Sequence, residues 1–173
     1  MFLPAPDLAP RIAPTELDPW RGRMLRGEVH DENAARLGGV SGHAGLFSTA
    51  RDLLHFGDWI LGVAQGRRDT LTGGRHPRAF FRKQNQPRGS SRALGWDTPS
   101  EGSSAGTRLS RHSFGHTGFT GTSIWVDPHN DLVIVLLSNR VHPTRDNARW
   151  GPVRREVADR IAAAAGRLRR LSL

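Results

Sequence analysis

Residues Ser113 to Arg140 read SFGHTGFTGTSIWVDPHNDLVIVLLSNR, and their pattern decides the architecture. Thr122 to Val126 combine β-branched, small and aromatic side chains, which suit a pleated strand. Pro128, His129, Asn130 and Asp131 supply turn chemistry before a second apolar run, Leu132 to Ser138. The two runs are expected to pair as an antiparallel hairpin. Leu132 to Leu137 are apolar without alternation, so this strand requires cover on both faces. Ahead of the hairpin, Gly115, Gly118 and Gly121 recur at every third position. Glycine there allows unusual dihedrals or close approach of the backbone to another group, a ligand among them.

Working outward, Gly151-Pro152 places proline at a helix N1 position, and Val153, Val157, Ile161, Ala164 and Leu168 follow at helical spacing. Glu156 and Asp159 near the start and Arg167, Arg169 and Arg170 at the end complement the helix dipole. Upstream, Ser48 or Thr49 is an N-cap for a helix running to about Val63, with Leu53, Phe56, Ile60 and Val63 on one face. Leu54, Trp59 and Leu61 widen that face, which predicts a helix sandwiched in the interior, with His55 at the surface or the core edge and Gly66 closing the element. The expected class is α/β of the α+β type, an antiparallel sheet flanked by helices.

The remaining segments are less regular. Five prolines before Arg26 predict a packed loop anchored by Trp20, Met24 and Leu25. Gly27 to Gly45 reads as a structured loop with short helical turns, in which His30-Asp31-Glu32 forms a hydrogen-bonded group rather than a metal cluster, since adjacent ligands converge poorly. Ser41, in Gly39-Val40-Ser41-Gly42-His43, misses the final glycine of a nucleophile elbow and follows no strand. From Gln65 to Thr107 apolar islands occur at Leu71, Ala79-Phe80-Phe81 and Ala93-Leu94-Gly95-Trp96. Leu94 to Thr98 and Leu109 to Phe114 are predicted as strands separated by a mobile turn at Glu101 to Gly106.

Length and composition bound the function. The chain has 173 residues, enough for one compact domain. Its net charge of +9 rests almost wholly on arginines spread along the chain. The densest run, Arg67, Arg68, Arg75, Arg78, Arg82, Lys83, Arg88 and Arg92 against Asp69, comes with no nucleic-acid-binding motif and reads as a solvated loop. Cysteine is absent, which excludes disulfides and thiolate chemistry. Met1-Phe2-Leu3-Pro4 has no signal-peptide features, and no stretch approaches the ~18 apolar residues of a membrane span. Localisation stays open.

Gly115-His116-Thr117-Gly118, followed by Gly121-Thr122-Ser123 and a long apolar strand, resembles the third motif of the serine β-lactamase and penicillin-binding-protein superfamily, best known as Lys-Thr-Gly. Arg26 to Ala34 and Leu37 to Ala50 resemble the segment that precedes this motif in the class C-like branch, in the correct order and about seventy residues earlier. The resemblance covers nearly the whole chain and implies an incomplete β-lactamase/transpeptidase-like fold. It also implies a Ser-x-x-Lys nucleophile motif and a Tyr-x-Asn or Ser-x-Asn motif nearer the N-terminus. Lys83 is the only lysine, Phe80 stands three residues before it, and tyrosine is absent. Residues 1–173 therefore read as the C-terminal portion of a single bacterial β-lactamase-related domain, with a missing N-terminal segment as its partner. Intact relatives usually act in the periplasm or outside the cell.

By resemblance, His116 takes the third-motif Lys position, Thr117 and Gly118 border the substrate, and the Phe119 backbone N–H serves the oxyanion hole. In intact relatives a serine attacks an amide or ester of a small molecule or peptide, as in D-Ala-D-Ala carboxypeptidases, through an acyl-enzyme. No metal or cofactor is called for. Zinc binding by His112 and His116 requires a helix that Gly115 and Gly118 oppose, and Ser123 and Asp127 lie on one strand and cannot flank His116 as a triad. The sequence thus predicts a partial serine hydrolase domain, inactive alone. A non-catalytic remnant or binding module is the alternative, and a basic nucleic-acid-binding protein is a weaker one.

Overall fold

A computed structural model describes residues 1–68 and 77–171. Asp69, Leu71 and Arg75 lie outside the described residues. The chain divides into two compact units, Met1–Thr49 with Phe119–Thr122 and Leu137–Ala148, and Ala50–Gly118 with Ser123–Leu136 and Arg149–Leu173.

In the first unit the prolines give a 3₁₀ turn, Pro6–Arg11, with Pro6 and Pro10 inside it. Two short strands, β1 (Leu17–Asp18) and β2 (Arg23–Met24), pair antiparallel through Leu17↔Met24 and Asp18↔Arg23. Of the three expected anchors only Leu25 is buried, whereas Trp20 and Met24 are exposed. Trp20 is held from outside, with the Arg21 and Arg36 guanidiniums over its ring at 5.3 and 5.2 Å. The expected helical turn is α1 (Glu32–Arg36), capped by Asp31, whose side chain accepts from the Ala34 amide. The buried apolar residues here are few, Leu25, Val29, Ala34 and Val141, and they share the interior with Glu16, Asp18 and His30. Polar partners hold this unit together as much as apolar contact does.

The second unit holds the hairpin. α2 (Ala50–Ala64) is followed by the short α3 (Pro77–Phe80), then β3 (Phe114–Thr117), β4 (Ser123–Asp127), β5 (Leu132–Leu136) and α4 (Trp150–Leu171). The sheet order is β3-β4-β5, antiparallel throughout, with Phe114↔Val126 and Trp125↔Ile134 in register. β5 does meet helices on both sides. On one, Ile60 and Leu61 of α2 join Phe114 and Val126, with Ile124 and Val133 against them. On the other, Ala158 of α4 joins Trp125, Ile134 and Ala105. Successive β4 residues therefore serve opposite layers, the period of two working on a strand covered on both faces.

Three local expectations need correction. α2 is buried on one side only, at Ile60, Leu61 and Val63, while Leu54 and Phe56 are exposed, because Gly57 rather than a large residue meets the sheet. Leu94 to Thr98 makes only isolated bridges, Arg92↔Asp97 and Asp97↔Gly115, around a Gly95 at φ +79°. Leu109 to Ser113 is turn rather than strand, because Asp127 draws the Ser110 amide and hydroxyl toward itself and bends the chain. Asp159 likewise does more than complement a dipole: its carboxylate accepts from the Thr107 amide at 2.6 Å and the Arg108 amide at 2.9 Å, pinning the preceding loop to α4.

Candidate functional site

The third-motif segment ends β3. Gly115 lies against Trp125, and a Cβ there would meet the Ile124 carbonyl and come within 2.5 Å of the indole ring. Gly121 adopts φ +120°, with Ser138 and Arg140 packed where a side chain would go. At these two glycines the chain's own atoms make the close approach, which corrects the reading in which a ligand takes that space.

His116 and Thr117 are exposed at the end of β3. The His116 ring has two partners that fix its tautomer. Nδ1–H donates to the Thr117 carbonyl at 3.0 Å, and Nε2 accepts from Arg92 Nη1 at 3.3 Å. Arg154 of α4 donates to the Gly118 carbonyl at 3.1 Å. The peptide is planar, so fixing that oxygen also orients the Phe119 N–H. No acceptor takes that N–H among the described residues. In the first unit the Phe119 carbonyl accepts from Arg140 Nε at 2.7 Å, the Arg140 guanidinium lies 4.4 Å from the Phe119 ring centre, and the His30 ring stacks on it at 5.7 Å. Arg92, Arg140 and Arg154 carry no motif in the sequence, and only the richness in arginine hints at their use as donors, Arg92 to the His116 ring and Arg140 and Arg154 to backbone carbonyls.

The alternatives weighed for His116 find no geometry. Asp127 is fully buried and spends its carboxylate on Ser110, His129 and Asn130. Those donors outweigh the burial and hold its carboxyl below the usual range. His112 sits in a turn, with its ring 6.4 Å from that of His129.

His30, Asp31 and Glu32 turn to three different partners. His30 Nε2 meets Glu16 at 2.7 Å, Glu32 pairs with Arg145 at 2.7 Å, and Asp31 caps α1. Glu16 also takes the Arg145 amide and guanidinium, at 2.8 and 2.9 Å. Burial pushes its carboxyl up, but hydrogen bonds from Arg145 and then His30 prevail and bring it down to about 2.

Sequence order gives no sign of a further grouping in this unit. Ser41 Oγ lies 2.7 Å from His43 Nδ1, and His43 Nε2 lies 3.0 Å from Asp31 Oδ1. The Ala34 amide and then the His43 ring hold the Asp31 carboxyl below its usual range. Ser41 is partly exposed and His43 is exposed, with about half of its side chain (54%) open to solvent.

An antiparallel sheet layered by helices, with a histidine-threonine-glycine segment ending its first strand, defines a serine-hydrolase-like class. Residues 4–159 match the Beta-lactamase family model, and the chain belongs to that family. It is 36% identical over 136 residues to proteins of Salmonella typhi, Salmonella newport (strain SL254) and Salmonella agona (strain SL483) that carry the provisional name D-alanyl-D-alanine carboxypeptidase. The matched region is 76% of this chain but 31% of each relative, so the chain spans about a third of their length.

Proposed function

We propose that residues 1–173 form the C-terminal portion of a single carboxypeptidase-like domain and supply one wall of an acyl-transfer pocket for amide or ester substrates, without forming the family's acyl-enzyme alone. The observation that carries this reading is chemical: the third motif stands exposed at His116 and Thr117, while the chain's one lysine and its lack of tyrosine rule out the usual Ser-x-x-Lys and Tyr-x-Asn within it. In this role Thr117 and Gly118 border the substrate. His116 stands at the Lys position, where it hydrogen-bonds to substrate or to a second-motif side chain. The Phe119 N–H, oriented through Arg154, receives the negative charge on the acyl oxygen. The attacking serine and its base come from the rest of the domain.

Labelled penicillin tests the reading. The isolated chain is expected to take no label, whereas a chimera that places it after the N-terminal two-thirds of the Salmonella typhi relative is expected to be acylated on the relative's serine. In that chimera His116→Ala should slow acylation by ~100-fold, within the range for loss of a proton-handling group. Penicillin bound covalently to the isolated chain, or a folded chimera indifferent to His116, overturns the proposal.

A further inference from the structure

We propose that Ser41, His43 and Asp31 form a second, self-contained acyl-transfer site that hydrolyses small activated esters. The parts of a serine nucleophile are all present within one unit: a hydroxyl 2.7 Å from an imidazole nitrogen, and the opposite ring nitrogen 3.0 Å from a carboxylate. The same carboxylate oxygen, Oδ1, is also held by the Ala34 amide at 2.8 Å, since Asp31 caps α1. The loop that carries the serine is also fixed. Gly39 donates to the Ala34 carbonyl at 2.8 Å, and Gly45, at φ +105°, packs its α-carbon against the Gly39 carbonyl, which pinches the intervening residues into a tight bend. Gly42 has open space where a side chain would stand, and no acceptor takes the Gly42 or His43 amide among the described residues. Two backbone amides next to the nucleophile in sequence are thus available to an acyl oxygen that develops charge.

The tautomer follows from the partners. Asp31 accepts only, so Nε2 carries the proton and Nδ1 accepts from the Ser41 hydroxyl. As Ser41 Oγ bonds to the acyl carbon, its proton passes to Nδ1, and Asp31 steadies the resulting imidazolium. When the ester C–O bond breaks, the leaving alcohol takes that proton. Water then attacks the acyl-serine, passes a proton to Nδ1, and Ser41 leaves reprotonated, so that ester and water become acid and alcohol. Because the site is open, short acyl groups on good leaving groups suit it better than long substrates. His43 handles the reacting proton and is catalytic, whereas Asp31 is a positioning residue acting through it.

The whole chain treated with a biotinylated fluorophosphonate tests this. The Ser41 oxygen displaces fluoride, and peptide mass spectrometry is expected to place the adduct on Ser41. Ser41→Ala should abolish the adduct. His43→Ala should slow labelling at least ~100-fold, with imidazole added to the buffer restoring part of the rate. Asp31→Asn keeps a good helix cap, so a ~10-fold slowing with an unchanged circular dichroism spectrum reports on the ring rather than on folding. Asp31→Glu should recover part of that loss. No adduct, an adduct on another serine, or equal rates in wild type and His43→Ala would make the three side chains a loop clasp and nothing more. Peptide mapping separates the two: a penicillin adduct on Ser41 belongs to this site, whereas the first proposal is judged by label on the relative's serine in the chimera and on any other residue of the isolated chain, so either proposal can fail without the other.

Discussion

At the scale of single residues, the first unit depends on Glu16. Its carboxylate serves His30 and Arg145 from within the interior, and its ionisation lies near 2, below the ordinary carboxylate value of about 4.3. A carboxyl depressed on folding stabilises the native state above its unfolded value and loses that contribution as pH falls toward the folded one. The chain should therefore weaken as pH drops from about 4.5 to 2. Glu16→Gln should remove part of that slope and cost about 3 kcal/mol at neutral pH. Urea midpoints measured across this range check the sign, and identical slopes in wild type and variant would refute it. None of this was legible beforehand: Arg145 stands 129 residues from Glu16, and nothing local to either marks the pair. The glycines and the apolar strand that frame His116 are, by contrast, visible in the sequence itself.

Among the elements, β4 and β5 follow their apolar patterns closely, whereas the two long helices keep their expected spans but not their expected faces: on α4 Val153, Ile161 and Leu168 of the expected stripe are exposed and Ala158 is the buried residue. The strands expected at Leu94 to Thr98 and Leu109 to Phe114 fail where side chains bond back to the chain. Asp97 accepts from Ser91 Oγ and Asp127 from Ser110, and each turns the backbone out of a ladder. Gly115 illustrates how tightly the sheet is set. Alanine there places a methyl group against the Ile124 carbonyl and the Trp125 ring, and neither the backbone nor the buried indole can yield cheaply. Gly115→Ala should cost at least about 2 kcal/mol, in the range for overpacking a core. The contrast is Gly57→Ala on α2, where the obstacle is Val133 Cγ1 at 2.5 Å and alanine regains about 1 kcal/mol of helix propensity. Thermal melts should rank Gly115→Ala well below Gly57→Ala, and the reverse order would contradict the packing described.

For the whole molecule, the basic residues are spread along the chain, and at least eight of the 25 have defined partners. Arg21, Arg140, Arg145 and Arg154 donate to backbone carbonyls or buried carboxylates, and Arg23, Arg67, Arg68 and Arg160 pair with acids. Binding to random duplex DNA should therefore be no tighter than about 10 μM at 150 mM salt and should weaken steeply as salt rises. Submicromolar binding in fluorescence anisotropy would revive the nucleic-acid reading. The division into two units has a consequence of another kind. The chain passes between them five times, at Thr49, Gly118, Thr122, Leu136 and Ala148. Neither unit corresponds to an uninterrupted piece of gene. No deletion, splice or recombination event could transmit one intact without carrying fragments of the other, so the pair must be lost, duplicated and inherited together.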